Sequence, residues 1–155
     1  MDFFASKVAM SICALLVAVI LASVMNIGRF SDAYGEIDAV LHEFCSLAER
    51  AEASGAEGDS LWTVPGLSSG KCLTITVERH SVSCTCGSRT RATEPPFTLH
   101  TWRWEGIGLN TSLLEELDSS AEPLCASSGI VISLTTAYVL VDNEPRLLVF
   151  ASAVP

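Results

Sequence analysis

The chain has 155 residues, a formal charge of −9 and a 49% share of apolar residues, enough for one domain of ordinary size beyond its N-terminal segment. The acidic balance excludes nucleic acid as a partner, because phosphate binding needs a basic patch and the nine Lys and Arg form no run. It equally excludes electrostatic adhesion to anionic lipid.

In chain order, residues 1–7 are a short flank, and Val8–Ile27 is an uncharged run of twenty residues. As a helix rising about 1.5 Å per residue it spans roughly 30 Å, the thickness of a bilayer's hydrocarbon core. Three readings fit Met1–Ile27: a cleaved signal peptide, a plain transmembrane anchor, or an apolar helix that later packs into a filament. The run exceeds a signal peptide's apolar region and has no clear small-residue cleavage site, which favours the last two. Lys7 and Arg29 flank it almost symmetrically, so charge hardly fixes orientation. The cysteines and the glycosylation sequon place the C-terminal part outside the cell membrane, on a single-pass anchor.

Residues 28–54 predict an amphipathic stalk helix. Ile37, Val40, Leu41, Phe44, Ala48 and Ala51 recur at three- and four-residue spacing, and Gly55 marks its end. Residues 55–155 change to short alternating strands. Leu61–Val64, Cys72–Val77, Val82–Cys86 and Phe97–Glu105 are expected strands, with Arg89–Pro96 a loop. Ser112–Ser120 is a short helix opened by a capping box, Ser112 to Glu115. Ile130–Val141 and Arg146–Ala153 form a hairpin about Asp142–Pro145. The expected class is α+β: a transmembrane helix continuing into the amphipathic helix, packed on a small antiparallel sheet with one short helix.

Phe3-Phe4-Ala5-Ser6-Lys7 runs straight into the apolar segment, and the Ile37–Ala51 stripe follows. This pattern resembles archaeal type IV pilin-like and pilus-associated proteins, over about fifty residues. The resemblance implies a surface structural subunit that assembles through its apolar helix. Lys7 meets Val8 without an intervening Gly or Ala, and no acidic residue sits early in the helix. Both features fit an accessory subunit that keeps its anchor.

Five cysteines follow the apolar run: Cys45, Cys72, Cys84, Cys86 and Cys125. Disulfides, buried thiols and metal binding are all open to them; a bridge from Cys72 to Cys84 or Cys86 joins the arms of one hairpin. A zinc site needs a second ligand pair at the right spacing, and none accompanies Cys84-x-Cys86. His42, His80 and His100 are scattered, and Glu115, Glu116 and Asp118 read as a solvated acidic face. Asn110-Thr111-Ser112 is a sequon. Trp102 and Trp104 share one strand face, either covering the sheet against the amphipathic helix or forming a contact patch for a subunit or carbohydrate. No nucleophile motif or phosphate loop occurs, so neither catalysis, a cofactor nor a small-molecule substrate is expected. The expected partners are the lipid bilayer and other protein subunits. The main alternative function is an anchored extracellular binding module.

Overall fold

The computed structural model describes residues 34–67, 70, 72–106 and 108–154, so the Val8–Ile27 expectation lies outside the described residues. The chain divides into two units at Gly35/Glu36, and the second, Glu36–Pro155, contains the elements below apart from the first two residues of the first helix. Among the described residues no helix is long and apolar enough to cross a membrane.

Helix α1 covers 34–53. It contains no proline and buries Ile37, Val40, Leu41, Phe44, Cys45 and Ala48 along one stripe. It ends where Gly55 takes a φ of 60°, a left-handed conformation that glycine adopts without steric cost. There the amide of Gly55 donates to the carbonyl of Glu52 at 3.2 Å.

Eight strands follow: β1 (Gly58–Thr63), β2 (Thr74–Val77), β3 (Val82–Cys86), β4 (Arg89–Thr93), β5 (Leu99–His100), β6 (Leu124–Ser127), β7 (Val131–Val141) and β8 (Glu144–Val154), with helix α2 (Thr111–Ser120) between β5 and β6. They form two four-stranded sheets, ordered β1-β7-β8-β5 and β4-β3-β2-β6. The expected α+β class is therefore corrected. The described chain is mostly β, with two sheets where one small antiparallel sheet was expected, and β5 runs parallel to β8.

One apolar cluster unites the α1 stripe with Trp62 of β1, Ile75 of β2, Cys84 of β3, and Ile132 and Leu134 of β7. Trp62 locks the helix to its sheet. Its ring meets Phe44 at 5.1 Å, and its indole N–H donates to Glu43 at 3.2 Å. The Arg91–Asp38 pair, at 3.6 Å, also links α1 to β4. Both side chains are more than half exposed, so water screens most of that attraction.

Strand β7 changes its buried face part-way. Ile132, Leu134 and Thr136 are buried on one side, and Ala137, Val139 and Val141 on the other. A strand alternates faces every residue, so this shift from even to odd positions gives the β7–β8 ribbon a second core on its opposite face. The hairpin turns at Asp142 and Asn143, whose φ values of 54° and 67° match the two-residue turn that suits right-twisted strands.

Three expectations along the chain are corrected. Arg89–Thr93 is an edge strand rather than a loop: Gly87, at φ 62°, turns the chain back onto β3. The Phe97–Glu105 strand contracts to Leu99–His100. Ser112 does not cap α2; Asn110 does, its side-chain oxygen accepting the Leu113 amide at 2.7 Å.

All five cysteines beyond the apolar run are unbridged. Cys72 is exposed just before β2, whereas Cys84 and Cys86 are buried, so the Cys72 bridge would have to cross the sheet. Burial pushes the Cys84 thiol up to about 11, and the neighbouring Cys86 adds to the shift. Burial, helped by Glu49, raises Cys45 as well. A thiol so raised stays protonated and unreactive at neutral pH. Iodoacetamide at pH 8 should therefore label Cys72 and Cys125 in the folded protein and reach Cys45, Cys84 and Cys86 only after urea is added. Peptide mass mapping of the two samples measures this.

Candidate functional site

The second core is built on the outer face of the β7–β8 ribbon. Ala137, Val139, Val141 and Phe150 form its floor, and Trp102, Trp104, Leu109, Leu114 and Leu148 pack over them. Helix α2 contributes Leu114 and, one turn later, Asp118. Positions four apart share a helix face, so the carboxylate enters the core beside the leucine. Asp118 is only 8% exposed; the expected acidic face of α2 is corrected at this residue.

Three side chains converge on that carboxylate. His100 Nδ1 lies 2.6 Å from Oδ1, and the Trp102 indole N–H donates to the same oxygen at 2.7 Å. An ionised carboxylate has no proton to give, so Nδ1–H is the donor in the first contact. Arg79, in the turn between β2 and β3, brings Nε to 3.3 Å from Oδ2. Neither of those two atoms has an aligned hydrogen bond, so their attraction is one of charge rather than of a directed bond. Arg79 also holds β5 through its backbone, its carbonyl accepting the Leu99 amide at 2.9 Å.

The aromatic rings interlock around this point. Trp102 meets Phe150 edge-on at 5.1 Å, and His100 lies 5.7 Å from Trp102 and 5.5 Å from Phe150. Such edge and tilted contacts add to the value of simple burial. The two tryptophans thus lie on the sheet face away from the α1 cluster, which corrects the expectation that they cover the sheet against the amphipathic helix. Beside them runs a groove of about 490 Å³, lined by Trp102, Arg103, Trp104, Thr135, Phe150 and Ser152 among others. A smaller cleft of about 190 Å³ opens by Arg79 and Asp118, bordered by Glu78 and Thr101.

A buried carboxylate that orients an imidazole is half of a nucleophilic triad. The other half is missing among the described residues: no Ser, Thr or Cys hydrogen-bonds His100, and the neighbouring Thr101 hydroxyl donates to the Glu122 carbonyl at 3.0 Å. Nor do three His, Cys, Asp or Glu side chains gather as metal ligands among the described residues. Cys84 and Cys86 are buried, while His80 is exposed. The cluster's evident work is to fix α2, β5 and the Trp102 ring as one unit.

The sequon residue Asn110 is exposed and spends its side-chain oxygen on the α2 cap. The next residue, Thr111, donates both its amide and its hydroxyl to Asp142 of the β7–β8 turn. The amide of Asp142 in turn donates to the Leu109 carbonyl at 2.9 Å. The Thr111 hydroxyl, then its amide, then the charge of Arg146 hold the Asp142 carboxyl below its ordinary value.

Of the residues singled out in the sequence, the structure gathers Trp102 and Trp104, leaves Asn110 apart as the N-cap of α2, and spreads the cysteines over α1, the segment before β2 and the β4-β3-β2-β6 sheet. Asp118, His100 and Arg79 did not emerge as a cluster from the sequence. The available signal was Asp118 itself, an acid in step with Leu114 on the apolar side of a short helix. No protein-family model, characterised protein or solved structure matches the chain.

Replacing Asp118 with Ala leaves the partners of a buried charge without their acceptor. The expected loss is about 3 kcal/mol, the lower part of the range for breaking a buried pair, because Arg79 is 39% exposed and water takes up its charge. D118N keeps an acceptor for Trp102 and should lose less; urea unfolding of both variants measures the difference. For Asp142 the folded value is depressed, so its stabilisation is present above the ordinary carboxylate range, roughly pH 4, and fades as pH falls through the lower folded value. Acid titration followed by amide exchange at Thr111 should show the α2 start loosening below that point, and D142N should remove the step.

Proposed function

We propose that the protein is a membrane-anchored cell-surface structural subunit, pilin-like or pilus-associated, acting by assembly and not by catalysis. The observation that carries this reading is the position of α1. The uncharged run Val8–Ile27 precedes, by a few residues of sequence, a helix whose apolar stripe is the spine of the folded domain's core. In sequence only residues 28–33 separate the run from the described start of that core helix. The acidic composition keeps such a domain soluble at a surface.

A second reading, an anchored binding module, is favoured by the groove beside Trp102 and Trp104, whose volume falls in the range of small-molecule sites, roughly 300–1,000 Å³.

Fractionation tests the first reading. Native cells are sheared, and the N-terminal peptide is identified by mass spectrometry in the sheared material and in the membranes. The expected result is a chain that retains Val8–Ile27 and resists alkaline extraction from membranes, with part of it released in sheared surface assemblies. A soluble protein whose first residue lies beyond Ile27 would overturn the proposal.

A further inference from the structure

We infer that the groove beside Trp102 and Trp104 is a saccharide site, selective for a sugar ring that carries a carboxylate. The inference rests on the binding-module reading and names its ligand class.

Its first support is the way one wall is built. A tryptophan side chain at a surface ordinarily has rotamer freedom to lose on binding. Here the Trp102 ring is fixed beforehand. Its N–H is tied to a carboxylate that is itself 2% exposed, and its ring stands steeply inclined to His100 and nearly perpendicular to Phe150, packed against both. A ring held by buried partners gives a pre-organised platform, and a flat platform suits the C–H face of a pyranose. The donor that might have bound a ligand is already used, so Trp102 offers surface rather than a hydrogen bond.

The second support is the lining chemistry. Thr135 and Ser152 border the groove with hydroxyls. Thr135 donates its proton to Asp59 at 2.6 Å, which leaves its oxygen as an acceptor for a sugar hydroxyl. Asp59 lies across the strand from Thr135 but does not line the groove. Arg103 is the one charged residue among those that do, and among the described residues it forms no ion pair. In a chain with twice as many acids as bases, an uncommitted guanidinium in an aromatic groove selects a single planar anion, which it can grip with two parallel N–H bonds.

Other occupants fit less well. A peptide strand would need an unpaired sheet edge, whereas the groove borders β7 and β8, which are both interior strands of their sheet. A nucleotide would stack equally well, but its phosphates bring more charge than one arginine balances.

The test is a titration of the full chain in detergent micelles, by calorimetry and tryptophan fluorescence. The probes are methyl galacturonoside, which carries one carboxylate, its methyl ester, and AMP. The galacturonoside should bind at least tenfold more tightly than the ester. R103Q, a change at an exposed residue, should erase that preference by weakening the acid far more than the ester; W104A should weaken both sugars. Equal affinity for the two sugars in the unaltered chain, a preference that survives R103Q, or tighter binding of AMP would each overturn the proposal. If neither sugar binds, the saccharide proposal is overturned, and sedimentation of the unaltered chain beside W104A tests the binding-module reading separately. Self-association of the unaltered chain that W104A abolishes would keep a contact surface whose partner is a second copy, whereas no effect of W104A would overturn the binding-module reading as well.

Discussion

The apolar stripe of α1 must be covered from two sides, and the rest of the structure depends on that cover. Residues of both four-stranded sheets meet in one cluster with Ile37, Phe44 and Ala48 of the helix among them. Phe44 and Ile37 are fully buried, and side chains of that size stabilise by about 1.5–3 kcal/mol each when taken from water. Glu43 beside Phe44 then gives Trp62 a polar partner, so the same turn of helix supplies packing and direction. A helix used in this way is a core element first, whatever else precedes it in the chain.

Covering α1 with one face of the β7–β8 ribbon leaves the other face to be dealt with, and the switch of burial along β7 is the response. Its last residues turn Val139 and Val141 outward, and the irregular segment after β5 brings Trp102 and Trp104 over them. A two-residue strand such as β5 has little pairing of its own to hold it. The polar cluster on Asp118 compensates: it ties β5 through His100, the following segment through Trp102, and the β2–β3 turn through Arg79. Buried charge is expensive in isolation, and here several partners share one carboxylate.

Those two layers were unequally legible in the sequence. The α1 stripe, the Val82–Cys86 strand and the long hairpin all announce themselves, because their partners are local or their period is clean over many residues. The turn at Asp142-Asn143 is of the same kind. Strand β4 was not legible: Arg-Thr-Arg-Ala-Thr has no apolar alternation, and it is a strand only because Gly87 folds it back onto β3. Strand β6 is shorter still and pairs with β2, some fifty residues earlier. The sequence contains no local mark for such a pairing. The fold class shifted for that reason, since the missed strands are the edges of the second sheet. Asn110 displaced Ser112 as the cap because Asp142, far along the chain, fixes Thr111 as the first helical residue.

The candidate site divides along the same line. Two tryptophans on one face were visible as a pattern, and the pattern alone left open whether they cover a core or meet a partner. The structure makes these uses compatible, because each indole has two faces and an edge. Trp102 sets its N–H into the core, where Asp118 holds it beside Phe150, and the same side chain also lines the groove. The polar lock and the exposed platform are therefore parts of one device: the better the Asp118 cluster fixes α2 and β5, the less order remains to be supplied when something enters the groove. An acid on the apolar side of α2, which weakens that helix's own burial, is understandable as the cost of holding a ring still.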